Sequence, residues 1–178
     1  ARLFAETQRL LAETELRAGD LATINSVGQV LAAQLETQGI FDVVGDKLRQ
    51  IFDAQVVTIQ MYDRDSDAFC WRYAVEKGER LSIAPSAPSG FSGHVLRTRE
   101  PLLVNRDVAK RRVELGGAIA AGSGAKSYLG IPLVIGDEAT GVISLQNIDR
   151  EDAFSESDLH LLTTLAHNMS VALENARL

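Results

Sequence analysis

Cysteine is all but absent from this chain: Cys70 is the single one in 178 residues. A disulfide framework is therefore excluded, as is a four-cysteine zinc or iron–sulfur site within one chain. An excess of basic charge is missing too. Eighteen Lys and Arg stand against 24 Asp and Glu, a formal net charge of −6, which is not the footprint of a nucleic-acid binder. Apolar runs are only a few residues long, too short to span a bilayer. The first residues, Ala1-Arg2-Leu3-Phe4-Ala5-Glu6, carry no apolar signal segment. The expected setting is cytoplasmic, without membrane or nucleic-acid partners. Catalytic signatures are missing as well: there is no Gly-x-Ser-x-Gly, no phosphate-binding loop and no His-Glu-x-x-His. Asp63, Asp65 and Asp67 have the alternate spacing that opens a calcium loop, but the glycine and distant glutamate of such a loop are not in place. The cluster reads as a solvated turn, and no metal site is assigned.

What is present is an ordinary globular balance, 46% hydrophobic and 24% charged, in a length that suits one domain with helical extensions. Residues 1–36 read as helix. Leu3, Leu10, Ile24 and Leu31 form one row seven apart, with Arg17 in the gap; Thr7, Thr14, Leu21, Gly28 and Leu35 form the second. The two rows make a heptad seam with weak members. Gly19-Asp20 is a candidate break. At the other end, Ser155 is placed as an N-cap with Asp158 three residues on, and Phe154 and Leu159 as a hydrophobic staple. Leu159, Leu162, Ala166, Met169, Leu173 and Ala176 then step by three and four. The seams predict a homodimer through the terminal helices, with Leu3, Leu10, Leu21, Ile24, Met169 and Leu173 at the interface. The Ala-Arg-Leu at both ends suggests one unit of a tandem array.

Between the ends, residues 40–53 have helical spacing. The period then becomes two at 55–62 and 68–76, a hairpin around Asp63–Asp67. Residues 77–90 read as loop, 90–97 as a short helix, 101–104 as a strand and 107–115 as a helix with the basic run Lys110-Arg111-Arg112. Residues 116–125 read as a mobile loop, and strands at 127–135 and 140–148 are joined by a turn at 136–139. The order predicts an α+β fold: a central antiparallel sheet of about five to six strands, terminal helices on one face, and short helices and loops on the other. The divisions expected are a signalling or coiled-coil helix at 1–21, the domain at 22–158 and a helix at 159–178 that leads to the next module.

Three segments then form a recognisable pattern. Gly90-Phe91-Ser92-Gly93-His94-Val95-Leu96-Arg97-Thr98-Arg99-Glu100-Pro101-Leu102-Leu103-Val104, Ser127-Tyr128-Leu129-Gly130-Ile131-Pro132-Leu133 and Gly141-Val142-Ile143-Ser144-Leu145-Gln146-Asn147 together resemble a GAF domain. The resemblance covers about residues 22–176 and implies a GAF-like, profilin-like sheet. It implies a regulatory sensory module of the kind found in bacterial signalling chains, beside further GAF units or a histidine kinase or nucleotide cyclase output domain. Cyclic-nucleotide-binding members carry an Asn-Lys…Phe…Asp-Glu motif. Here Asn147, Phe154 and Asp158 are present, but Ile148 and Leu159 replace the lysine and glutamate, which argues against a cyclic nucleotide. Bilin-binding members anchor their chromophore on a Cys beside a His. Here Trp71 follows Cys70, and the cysteine reads as a buried structural thiol. The family also includes a free methionine-(R)-sulfoxide reductase, whose chemistry uses two thiols. With one cysteine, the expectation is that the chain is not an enzyme.

The expected ligand site is a cavity under the 77–125 insertion, for a small molecule the sequence does not name. Strand alternation turns Val57, Ile59 and Met61 toward the terminal helices, and Thr58, Gln60 and Tyr62 toward the insertion. Ser144 and Gln146 form the polar face of the last strand. Trp71, Tyr73 and Tyr128 are candidates for a stacking wall. Ser89, Gly90, Phe91 and Ser92, at a helix start, point N–H groups toward an anion or serve as a simple cap. His94 flanks the cavity; a haem ligand is one reading and a hydrogen-bonded wall residue the ordinary one. Lys110, Arg111, Arg112 and Lys126 add positive charge at the same mouth if they do not form a solvated face; of these, Arg111 and Lys126 are the site candidates. No cofactor is assigned, bilin, haem and an iron–sulfur cluster each being argued against. The competing reading is a ligand-free dimerisation module in a tandem GAF array.

Overall fold

The period-two stretches become the middle of one sheet. In the computed structural model, which describes residues 2–33, 37–118 and 124–177, β1 (Val56–Asp63) pairs with β2 (Ala68–Glu76) on one side and with β6 (Glu138–Asn147) on the other. β6 pairs with β5 (Ser127–Ile135), and β5 with β4 (Leu102–Val104). The expected loop at 77–90 contains a further edge strand, β3 (Glu79–Arg80), which pairs with the end of β2. The sheet is six-stranded, ordered β3-β2-β1-β6-β5-β4, and antiparallel throughout. The β5–β6 turn is tighter than expected: Ile135 pairs with Glu138, and Gly136 supplies the positive φ of 62° that the turn requires.

Two helices cover one face. α2 (Thr37–Ile51) and α5 (Glu156–Arg177) bury Ile40, Phe41, Val44, Leu48, Leu162, Leu165, Ala166, Met169 and Leu173 against Val57, Ile59, Leu129, Ile131, Leu133, Ile143 and Leu145 of the sheet. α5 starts at a reciprocal cap. The Ser155 N–H donates to Asp158 Oδ2 at 2.8 Å, and the Asp158 N–H donates to Ser155 Oγ at 3.2 Å. The other face carries α3 (Gly90–Thr98) and α4 (Val108–Glu114). They close two smaller apolar clusters, Phe91 with Val104, Val108 and Tyr128, and Val95 with Phe69 and Val142.

α1 (Arg2–Ala33) is one helix, unbroken at Gly19-Asp20. It meets α2 and α5, and Ile24 packs on the main core. Leu3, Phe4, Leu10, Leu11, Leu16 and Leu21 are exposed, between 50% and 83%. Met169 and Leu173, expected at a dimer interface, are instead 0% and 4% exposed inside the chain's own core. A three-four spacing on a helix looks the same whether its apolar face meets a sister helix or its own sheet. The seam positions Gly28, Leu31 and Leu35 and part of the 116–125 loop lie outside the described residues and side chains. No described helix is long and apolar enough to cross a membrane.

Candidate functional site

A cavity of about 70 Å³ lies between the second face of the sheet and the α3–α4 segment. Its floor is built by alternation. Thr58 and Gln60 of β1 and Ser144 and Gln146 of β6 point away from the helices whose partners Val57, Ile59, Ile143 and Leu145 face. Thr58 and Ser144 sit directly opposite across the ladder, and their hydroxyls share a buried hydrogen bond of 2.7 Å. Tyr128 stands on β5. Its ring folds over Gly130, where any Cβ would overlap the phenol oxygen, so that glycine makes room for the tyrosine. Burial pushes the Tyr128 hydroxyl up to about 12.

The walls are Phe69 and Trp71 of β2, Ser86, Ala87, and Ser89 to Ser92 at the start of α3. Phe91 packs on Tyr128 with ring centroids 4.6 Å apart. The roof includes Arg112 of α4 and Ala118. The Arg112 guanidinium lies 4.9 Å over the Phe91 ring, and its Nη2 donates to Gln146 Oε1 at 3.4 Å. Burial pulls this guanidinium below its ordinary value. The roof is held down at a close approach of Gly90 to Gly117, where a Cβ on Gly117 would overlap the Gly90 Cα. Three buried polar atoms here have no hydrogen-bond partner among the described residues: Gln60 Oε1, Trp71 Nε1 and Tyr128 Oη. Ser89 stands at the N-cap position of α3 in extended geometry, but its side chain makes no capping bond.

Nine of the expected site residues therefore line one cavity: Gln60, Trp71, Ser89, Gly90, Phe91, Ser92, Tyr128, Ser144 and Gln146. Five are elsewhere. Tyr62 is at the hairpin end, its hydroxyl donating to Asp67 at 2.8 Å. Tyr73 is on the opposite face, 1% exposed, donating to Asp46 Oδ1 at 2.8 Å; burial first, then that bond, pushes it up to about 12. A bulge accounts for the reversal. Ile59 pairs with Tyr73 but Gln60 pairs with Trp71, so Arg72 is the extra residue and the alternation inverts there. His94 is half-buried on α3, away from the cavity lining. Arg111 faces a separate groove along α4 and pairs with Glu114 at 3.1 Å. Lys126 donates to the Asp149 carbonyl at 3.2 Å.

Sequence reasoning put Arg111 in the site where Arg112 stands. Helix phase did not separate the two, because Arg111 and Arg112 lie three and four residues after Val108, the buried residue of α4. Asn147 is structural. Its Nδ2 donates to the Asp53 carbonyl at 3.0 Å, and its Oδ1 accepts from the Asp149 and Arg150 N–H groups, each at 3.0 Å. Cys70 is half-buried rather than buried.

An antiparallel sheet with helices on one face and a small polar cavity on the other defines an α+β module with two unlike faces. The GAF domain family model matches residues 34–174, and the chain belongs to the GAF domain family. Solved structures agree in fold. The GAF domain of an Acinetobacter phosphoenolpyruvate-protein phosphotransferase is 19% identical with a TM-score of 0.73, the match covering 89% of this chain and 94% of that one. Free methionine-R-sulfoxide reductase from Neisseria meningitidis, in complex with its substrate, is 20% identical with a TM-score of 0.74, covering 87% and 88%. Residues 122 to 287 of a methyl-accepting chemotaxis protein are 17% identical with a TM-score of 0.72, covering 85% and 96%. No curated protein matches. The expectation that the chain is not an enzyme is corrected by these comparisons. Reductases recur among proteins of this fold, so the architecture is one on which enzymes are built, and a cysteine count does not close that question. At these identities the likeness carries the fold and not a reaction.

Proposed function

We propose that this GAF domain is a regulatory module that binds a small molecule in the cavity beneath α3 and α4. Its state would pass to a neighbouring GAF unit or to an output domain of kinase or cyclase type. The observation that carries this reading is the contrast between the two faces of one sheet. One face is a continuous apolar core; the other holds buried polar atoms without partners among the described residues, which is costly unless a ligand or water satisfies them. The same strand serves both. Ser144 and Gln146 line the cavity while Ile143 and Leu145 pack in the core with α2 and α5. A ligand that shifts β6 therefore shifts the floor on which the terminal helices rest.

A homodimer through α1 completes the reading. Leu3, Leu10 and Leu21 lie along one side of that helix and are 83%, 50% and 59% exposed. Thr7 and Thr14 between them donate their hydroxyls to the Leu3 and Leu10 carbonyls at 2.8 Å, so their side-chain polarity is already satisfied within the helix. A second copy of α1 is the occupant this seam suits.

Native mass spectrometry of the purified protein, with a denatured control, tests both parts. A dimer carrying a small extra mass that is lost on denaturation is the expected result. A protein that stays bare and gains no thermal stability from any member of a metabolite library overturns the ligand reading, because a bound ligand must stabilise by RT ln(1 + [L]/Kd). The double variant Leu3→Glu with Leu10→Glu is expected to be monomeric at concentrations where the parent is dimeric. An unchanged dimer mass would remove α1 from the interface.

A further inference from the structure

The chain carries six more acidic than basic side chains, yet the described cavity lining inverts that balance. Its one charged group is Arg112, and no carboxylate lines it. Arg111 next door is closed by Glu114. No carboxylate pairs with Arg112 among the described residues, and its polar contact is a 3.4 Å bond to an uncharged amide oxygen. A guanidinium half-withdrawn from water and left without a counter-charge is an expensive arrangement. The uncommitted groups around it are mostly donors. The Trp71 indole nitrogen can only donate, and the Tyr128 hydroxyl donates or accepts. Tyr128 is 2% exposed, and its Oη, beside the Ser92 and Ser144 hydroxyls, makes no geometrically sound hydrogen bond among the described residues. The Ser89 side chain does not occupy the N–H groups that open α3, which is a nine-residue helix whose positive end faces the same space. One uncommitted acceptor belongs to the same lining: Gln60 Oε1, on a residue 3% exposed.

We propose that the cavity selects a small oxyanion that also carries one hydrogen-bond donor, a short hydroxy acid or hydrogen phosphate, with Arg112, Trp71 Nε1–H and Tyr128 Oη–H on its negative oxygens and Gln60 Oε1 on its donor. This rests on the reading of the cavity as a ligand site and narrows it to a chemical class. Arg112 supplies charge and a planar fork that matches a carboxylate or phosphate edge. Size limits the rest. A cavity of about 70 Å³ has room for roughly five or six water-sized groups, which admits glycolate or phosphate and excludes a nucleotide.

Trp71 is the only tryptophan in the chain and lines the cavity, so its emission reports occupancy directly. The experiment titrates the protein, at constant ionic strength, with glycolate, inorganic phosphate, acetate and the neutral isostere glycolamide. Saturable emission changes are expected with glycolate or phosphate, at least tenfold tighter than with glycolamide and tighter than with acetate, which lacks the donor. Which of the two saturates at lower concentration separates a carboxylate source from an inorganic one. Arg112→Gln is expected to weaken that binding at least tenfold, Arg112→Lys to restore part of it, and Arg111→Gln to leave it unchanged; circular dichroism of each variant confirms that it is folded. Equal binding of glycolate and glycolamide overturns the anion class, as does unchanged binding by folded Arg112→Gln. If none of the probes saturates while native mass spectrometry finds a retained neutral molecule, the anion class fails and the cavity reading stands. If both experiments are blank, both fail.

Discussion

Replacing Leu145 with alanine is expected to lower the free energy of unfolding by about 3–5 kcal/mol. Leu145 is 0% exposed and sits on β6 directly between Val57 of β1 and Leu129 of β5, both also 0% exposed. Its side chain belongs to the core that α2 and α5 share with the sheet. Strands hydrogen-bonded on both sides cannot move in to fill the space, so most of the cavity would remain. Urea unfolding followed by circular dichroism measures this, with a lower midpoint and an unchanged slope. A loss under about 1 kcal/mol would mean that the site collapses freely and that the core is looser than described.

Gly141→Ala is expected to cost about 3 kcal/mol or more, although it adds a single methyl group. Gly141 faces Met61 across the β1–β6 ladder and Leu133 across β5–β6. An added Cβ would overlap the backbone carbonyl oxygen of Gln60 and crowd Met61 Sδ at 3.0 Å and Leu133 Cδ1 at 3.2 Å. A side-chain tip can rotate aside; a strand carbonyl held in a ladder cannot. The strands must part instead, and they part beside Gln60, whose side chain lines the cavity. The variant is therefore expected to lose ligand-dependent stabilisation as well as stability, measured by thermal unfolding with and without the bound molecule. Wild-type stability in Gly141→Ala would contradict the close approach of β1 and β6 at this point.

Much of the fold was legible because period-two and period-3.6 stretches were long and cleanly separated. Val57 and Ile59 fell on the helix face and Thr58 and Gln60 on the cavity face, as alternation requires. The failures have specific causes. Alternation assigned Tyr73 to the same face as Trp71, because a bulge has no marker in side-chain types: Cys70-Trp71-Arg72-Tyr73 reads as an unbroken strand. Met169 and Leu173 were placed at an interface because a helix seam does not say what covers it. Arg111 and Arg112 follow Val108 by three and four residues, so helix phase does not say which of them enters the cavity. The question of catalysis was beyond residue counting, because one fold carries reductases and a segment of a methyl-accepting chemotaxis protein alike.

The bulge at Arg72 has a consequence for how such a domain can diversify. Upstream of it, β2 contributes Phe69 and Trp71 to the cavity wall; downstream, Tyr73 and Val75 belong to the core with α2. The Arg72 carbonyl is pinned by Gln38 Nε2 at 2.9 Å, from the first turn of α2. A single strand is thus divided into two independently variable halves. Substitutions at positions 69 and 71 can change the cavity wall without altering the helix-facing side chains. Loss of the bulged Arg72 would leave both halves facing as they do, whereas loss of Cys70 would turn Phe69 to the wrong side. The cavity wall can therefore vary by point substitution on one side of the bulge while the core-facing half stays as it is.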